Sequence, residues 1–168
     1  YPSWLVFKPA MILTAFLVIK YWLNTKQLIN HFEDNHRYIK KFIFFGITSA
    51  VCLIIHSIFL GIKFEYDLYK LFRRVILLSF IIFEVTAQTY LVMALYELKD
   101  KIKNHLNKNI LKLKLLLVSS LIVVALISIP MLIISGNKLP EFKHILEWNY
   151  FLGVISFYIL TFFMWKKN

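Results

Sequence analysis

FIFFGITSAVCLIIHSIFLGI, residues 42–62, runs for 21 residues without an acid, a lysine or an arginine. As a helix rising 1.5 Å per residue, it is long enough to cross the roughly 30 Å hydrocarbon core of a bilayer. Outward from it the pattern repeats at 75–96, 115–135 and 148–165. These four stretches share one carboxylate, Glu84. A further stretch, 4–23, is interrupted by Lys8, Pro9 and Lys20. Lys8 and Lys20 lie near its ends, where a long aliphatic stem can carry the charge to the headgroups. The reading is an all-α, polytopic transmembrane helix bundle with five spans, forming a single domain over 1–168.

Composition points the same way. The chain is 60% hydrophobic and 17% aromatic, with only four glycines and a mean hydropathy of +0.67. A water-soluble domain of 168 residues could not hide that much apolar surface. The ten-residue alternating strands of a transmembrane barrel are absent. Cys52, alone of its kind, lies within the second span and allows no intrachain disulfide. The chain begins at Tyr1 rather than Met, so a signal or a leading helix is expected ahead of it. With a leading helix the count becomes six spans.

Charge orients the spans. Lys20, Lys26, Arg37, Lys40, Lys41, six lysines of the third connection (99, 101, 103, 108, 112, 114), Lys166 and Lys167 share one side. Lys8, Lys63, Lys70, Arg73, Arg74, Lys138 and Lys143 are left on the other. The positive-inside rule places the C-terminus in the cytoplasm and Tyr1 on the outer or lumenal side. The net charge of +11 is largely this asymmetry, so nucleic acid is not an expected partner. Within 97–114, Leu98, Ile102, Leu106, Ile110 and Leu113 recur at helical spacing between lysines and asparagines. Such a stripe describes a basic amphipathic segment meeting anionic headgroups near Lys99–Lys114, or two protruding helix ends. Membrane lipids are thus the expected partners, with protein partners or a second copy of the chain also open. Tyr1, Trp4, Tyr21, Trp22, Tyr66, Tyr69, Trp148, Tyr150 and Trp165 fit an interfacial belt.

Polar groups inside the membrane need partners and so mark candidate sites. His56 lies on the second span, with Cys52 one turn before it and Ser49 on the same face. Glu84 lies near the middle of the third, with Gln88 one turn later. In antiparallel neighbours the two depths differ by about one turn, so an imidazole–carboxylate contact is reasonable if the faces meet. Such a pair can relay protons, coordinate a cation or orient a polar substrate; alternatively Glu84 hydrogen-bonds Gln88 or backbone and joins helices. Glu147, Trp148 and Asn149 form a second candidate at the outer mouth of the fifth span. His31, Glu33, Asp34 and His36 make a small polar loop. Gly46, Ala50, Ser57 and Gly61 give the second helix a small-residue face, and Ser128, Pro130 and Ser135 read as kink and packing residues of the fourth.

No cofactor or metal is expected. His56 is the lone intramembrane histidine, whereas a haem held between helices usually takes two. The chain has no Cys-x-x-Cys-His, Walker loop, Gly-x-Ser-x-Gly elbow or His-Glu-x-x-His run. Catalytic residues are therefore not assigned.

The last two spans read Ile129-Pro130-Met131, then Glu147-Trp148, Gly153 and Phe157-Tyr158-Ile159-Leu160-Thr161-Phe162. This resembles the FRAG/DRAM/SFK superfamily of six-helix membrane proteins. The resemblance implies a C-terminus inside and roles in lipid handling, trafficking or lipid-anchor remodelling, without a catalytic residue to carry over. Trp4-Leu5-Val6-Phe7-Lys8-Pro9 is similar to the YhhN-type lysoplasmalogenases. Their next helix carries a Gly-Asp pair, where this chain has Cys52-Leu53-Ile54-Ile55-His56-Ser57. The resulting expectation is a lipid-interacting membrane protein with a non-enzymatic handling or scaffold role. A small proton- or cation-coupled transporter or channel subunit using Glu84 and His56, an intramembrane lipid-modifying enzyme, and an accessory subunit of a larger complex are the alternatives.

Overall fold

A computed structural model describes residues 4–34, 36–60, 62, 66–103, 105–135 and 140–165, with side chains excepted at 4, 67, 70, 128–135, 140–144 and 147. Five helices follow one another: α1 Trp4–Phe32, α2 Ile39–Phe59, α3 Asp67–Glu97, α4 Lys108–Ser135 and α5 Pro140–Met164. Four contain a segment long and apolar enough to span a membrane, namely Leu5–Phe32, Ile39–Phe59, Leu71–Glu97 and Lys108–Ile127. The apolar part of α5, Trp148–Met164, is shorter. By length and composition the chain is helical and membrane-compatible, with five helices but four such spans among the described residues.

Every helix but α2 outruns its apolar window. α1 continues nine residues past 23 to Phe32, because Lys26, Gln27 and Leu28 favour helix and no Gly or Pro intervenes. α2 is displaced toward the N-terminus, starting at Ile39 rather than 42 and ending at Phe59 rather than 62. α3 starts at Asp67 rather than 75, and α4 at Lys108 rather than 115. The start of α4 has a local cause: Asn107 Oδ1 accepts the Asn109 N–H at 3.1 Å, capping the first turn. α5 starts at Pro140, where proline's fixed φ and missing N–H suit a helix beginning.

Hydroxyls along these helices turn back onto their own backbone. Thr14 donates to Ala10 O at 2.8 Å, Thr48 to Phe44 O at 2.7 Å and Thr86 to Ile82 O at 2.7 Å. In hydrocarbon no water is at hand, and the carbonyl one turn earlier is the nearest acceptor. Meanwhile Leu5, Val6, Phe7, Leu13, Phe16 and Leu17 on α1 point outward. A surface of that kind is suited to lipid.

The chain forms two compact units, Tyr1–Tyr90 and Leu91–Asn168. In the first, Trp22 of α1 is fully buried and packs 5.9 Å from Phe42 of α2, ring to ring. Its indole lies over Gly46, where a Cβ would come within 2.6 Å of three ring atoms. The interfacial role expected of Trp22 is thereby corrected: because α1 runs on to Phe32, Trp22 sits inside the helix rather than at its end. Gly46, Ala50 and Ser57 are buried as the small-residue face requires, while Gly61 lies outside the described residues. Contacts between α2 and α3 fix an antiparallel register: Tyr38 on Tyr90, Phe45 on Phe83, and the Tyr69 hydroxyl donating to Phe59 O at 2.7 Å.

In the second unit, α4 presents Leu111, Lys114, Val118 and Leu121 as its buried stripe, and α5 presents Tyr150, Val154, Phe157 and Met164. At the meeting point of Leu121 and Gly153, a Cβ on Gly153 would come within 2.6 Å of Leu121 Cδ2. The obstructing atom is the end of a flexible side chain, so Gly153→Ala should cost less than about 1–2 kcal/mol. Detergent-resistance melting of the purified variant measures it. The two helices are pinned at one end, where the Asn107 N–H donates to Met164 O at 2.8 Å and Leu106 bridges Trp165.

The connection ahead of α4 departs from a continuous amphipathic helix, one of the two readings of its stripe. Residues Lys99–Lys103 form turns, with Leu98, Ile102 and Leu106 buried like pegs. Past Asn107 the stripe shifts. Leu111 and Lys114 take the inward positions, Leu113 is exposed, and Ile110 is half-buried. A new helix starting at Lys108 resets the helical phase, which an unbroken 3–4 spacing from Leu98 could not anticipate.

Candidate functional site

Glu84 is fully buried on α3. Its Oε2 accepts the Ser49 hydroxyl of α2 at 2.6 Å, and its Oε1 accepts the Gln88 amide from the next turn of α3 at 3.1 Å. Ser49 Oγ also lies 2.8 Å from Gly46 O, one turn earlier on α2. Gln88 is fully buried as well, and its own Oε1 has no hydrogen-bond partner among the described residues. The cluster thus joins a small-residue face on α2 to one turn of α3. Such a contact is worth more than its length suggests, because an unmet carboxyl in this setting is costly.

His56 and Cys52 share the buried face of α2 with Ser49 and Ser57. Ser49, seven residues before His56, is the α2 residue bonded to Glu84. His56 therefore stands about 10 Å further along the helix axis. That is two turns, where equal span centres predicted about one. The difference follows from the displacement of α2 toward its N-terminus and of α3 toward an earlier start. Among the candidate residues, the structure thus joins Glu84 directly to Gln88. Ser49, noted only for sharing a face, supplies the hydrogen bond between helices.

The proposed outer mouth is less converged. Trp148 is 65% exposed, with its ring edge-on to Phe151 at 6.2 Å. The Asn149 amide donates to Ile145 O at 2.8 Å, so it is engaged by its own helix. The side chain of Glu147 lies outside the described residues, as do those of Ser128, Pro130 and Ser135. In the α1–α2 connection His31 is exposed, whereas His36 is buried and its Nδ1 faces the Tyr38 N–H at 3.4 Å. The small polar loop expected there thus has one of its histidines turned inward.

Lys99, Lys101, Lys103, Lys108 and Lys112 line the connection, all exposed except Lys99, whose Nζ lies 4.2 Å from the centre of the Tyr96 ring. Lys114, expected to join them at the headgroups, is instead fully buried. It donates to Thr161 Oγ1 at 2.6 Å and sits 3.8 Å above the Phe157 ring centre. The Thr161 hydroxyl in turn donates to Phe157 O at 2.9 Å. A lysine at the edge of an apolar run reads as a snorkelling end residue. The signal missed was its place on the Leu111, Val118, Leu121 stripe.

Comparison with protein families, with curated proteins and with solved structures gives no match for this chain.

Proposed function

We propose that this protein is a non-catalytic, lipid-interacting membrane scaffold, with its apolar outer faces in contact with lipid or a partner helix. The observation that carries the reading is the enclosure of Glu84, whose carboxyl is engaged by Ser49 and Gln88 in holding α2 to α3. An acid used in this way is a structural tie rather than a reactive group facing substrate. The likeness of 129–131 and 147–162 to the FRAG/DRAM/SFK superfamily supports a lipid role. In this reading α5 supplies a fifth span, and Lys101, Lys103, Lys108 and Lys112 face acidic headgroups on the cytoplasmic side, together with the C-terminus. Each such lysine contributes about 1 kcal/mol near an anionic surface. Glu147, Trp148 and Asn149 shape the opposite mouth.

The test is reconstitution of the full chain in liposomes under pH and cation gradients, with acidic lipid retention followed by native mass spectrometry. The expected result is preferential retention of acidic lipid, weakened by charge removal at Lys101, Lys103, Lys108 and Lys112, with no flux that depends on Glu84. A proton or cation flux carried by the wild type and lost in Glu84→Gln would overturn the scaffold reading in favour of the coupled transporter using Glu84 and His56.

A further inference from the structure

Lys114 is a basic group buried in an apolar seam, with no acid hydrogen-bonded to it among the described residues. Among the described residues its hydrogen-bond acceptor is Thr161 Oγ1, a single neutral oxygen, although an ammonium has three N–H bonds to place. The Phe157 ring adds a quadrupole 3.8 Å away, which is attractive but carries no net charge. The neighbouring sequence has little to offer. α4 contains no acid at all, the nearest acid to Thr161 along α5 is Glu147, fourteen residues or about 21 Å away, and Glu97 and Asp100 ahead of α4 are both exposed. Burying a cation on these terms is expensive: the amine either gives up its proton or takes an anion beside it, and the anion is what lets the ammonium stay charged.

The position suits one that comes from the interface. Lys114 is six residues into α4, and helical side chains lean toward the N-terminus of their helix. Its ammonium thus points back toward the end of α4 where Lys101, Lys103, Lys108 and Lys112 cluster. Those lysines concentrate anions locally, and Lys114 offers N–H donors in a drier place.

We propose that Lys114 is the inner end of a binding site for a phosphate-bearing anion, delivered as an acidic lipid headgroup or as free phosphate. The ammonium keeps Thr161 as one partner, or swings from it, and turns its remaining donors to the phosphate oxygens. This inference deepens the lipid-interacting reading and rests on it for the lipid source of the anion.

The experiment uses the full chain in neutral detergent, titrated separately with inorganic phosphate, with phosphatidylcholine vesicles, and with phosphatidylcholine–phosphatidylglycerol vesicles. Thermal unfolding and retained phosphorus per protein are read in each. The wild type should be stabilised by a phosphate-bearing anion and not by phosphatidylcholine alone. Lys114→Met should hold it about tenfold more weakly, while Lys114→Arg and the exposed control Arg74→Gln, remote from that lysine cluster in sequence, retain it. Thr161→Val removes the neutral acceptor and leaves the charge, so its stability should depend more strongly on the anion than the wild type's does. Stabilisation by phosphate alone identifies the free ion; stabilisation only by phosphatidylglycerol identifies the headgroup. No anion effect in the wild type, or an equal effect in Lys114→Met, overturns the site. A Glu84-dependent flux would overturn the scaffold reading and leave this result untouched.

Discussion

Gly46→Ala should lower the stability of the first unit by about 1–3 kcal/mol, the range typical of overpacking a filled core. The new methyl would meet three atoms of the Trp22 indole at 2.6 Å, and the ring is fully enclosed, so it cannot turn aside into open space. The clash is specific enough to be relieved from the other side. Trp22→Phe in the Gly46→Ala background should recover part of the loss, since a single ring leaves room where the indole does not. A double-mutant cycle followed by denaturant unfolding in mixed micelles would measure the coupling, expected to be at least about 0.5 kcal/mol for residues in contact. Additive behaviour would mean that Trp22 and Gly46 do not touch. Trp22→Ala alone should cost more, about 3–5 kcal/mol, because nothing nearby fills the volume of an indole.

Glu84→Ala is expected to be the second severe change, at about 2–4 kcal/mol. It empties volume between α2 and α3 and removes the acceptor of a buried Gln88 amide. Glu84→Gln should differ from it sharply. The new amide oxygen can still accept from Ser49, and its NH2 group can donate to Gln88 Oε1, which has no partner among the described residues, once the Gln88 amide has turned over. The cost should stay within about 1 kcal/mol. Equal losses for the two variants, measured by the same unfolding assay, would show that the contact with Ser49 does not depend on an acceptor at that position.

These effects trace which parts of the molecule could be read from residue order. Apolar runs announce membrane helices because length and hydropathy alone decide whether a segment can span, and four of the helices carry such a segment. Their ends are less legible. α1 continues through a polar tail that holds no Gly or Pro, and that extension moved Trp22 from a supposed headgroup position into the core. Glu84 and Gln88 stood out as polar residues one turn apart in an apolar helix. Their partner Ser49 could be placed on a face but not at a depth, since depth depends on how far α2 and α3 slide past each other. Lys114 was obscured by a sound rule used at the wrong place. Lysines bordering spans usually reach for water, and only the packing of α4 against α5 shows this one turned inward.

The bond from the Asn107 N–H to Met164 O sets a limit on motion in the second unit. It ties the first residue before α4 to the last residue of α5, so neither helix can move along its axis like a piston without breaking it. The relative motion left to the pair is a tweezer-like parting, hinged at the tied end and widest at the other. Lys114, about two turns from that hinge, would feel only a fraction of the opening, which keeps its neighbourhood steadier than the far end of the seam.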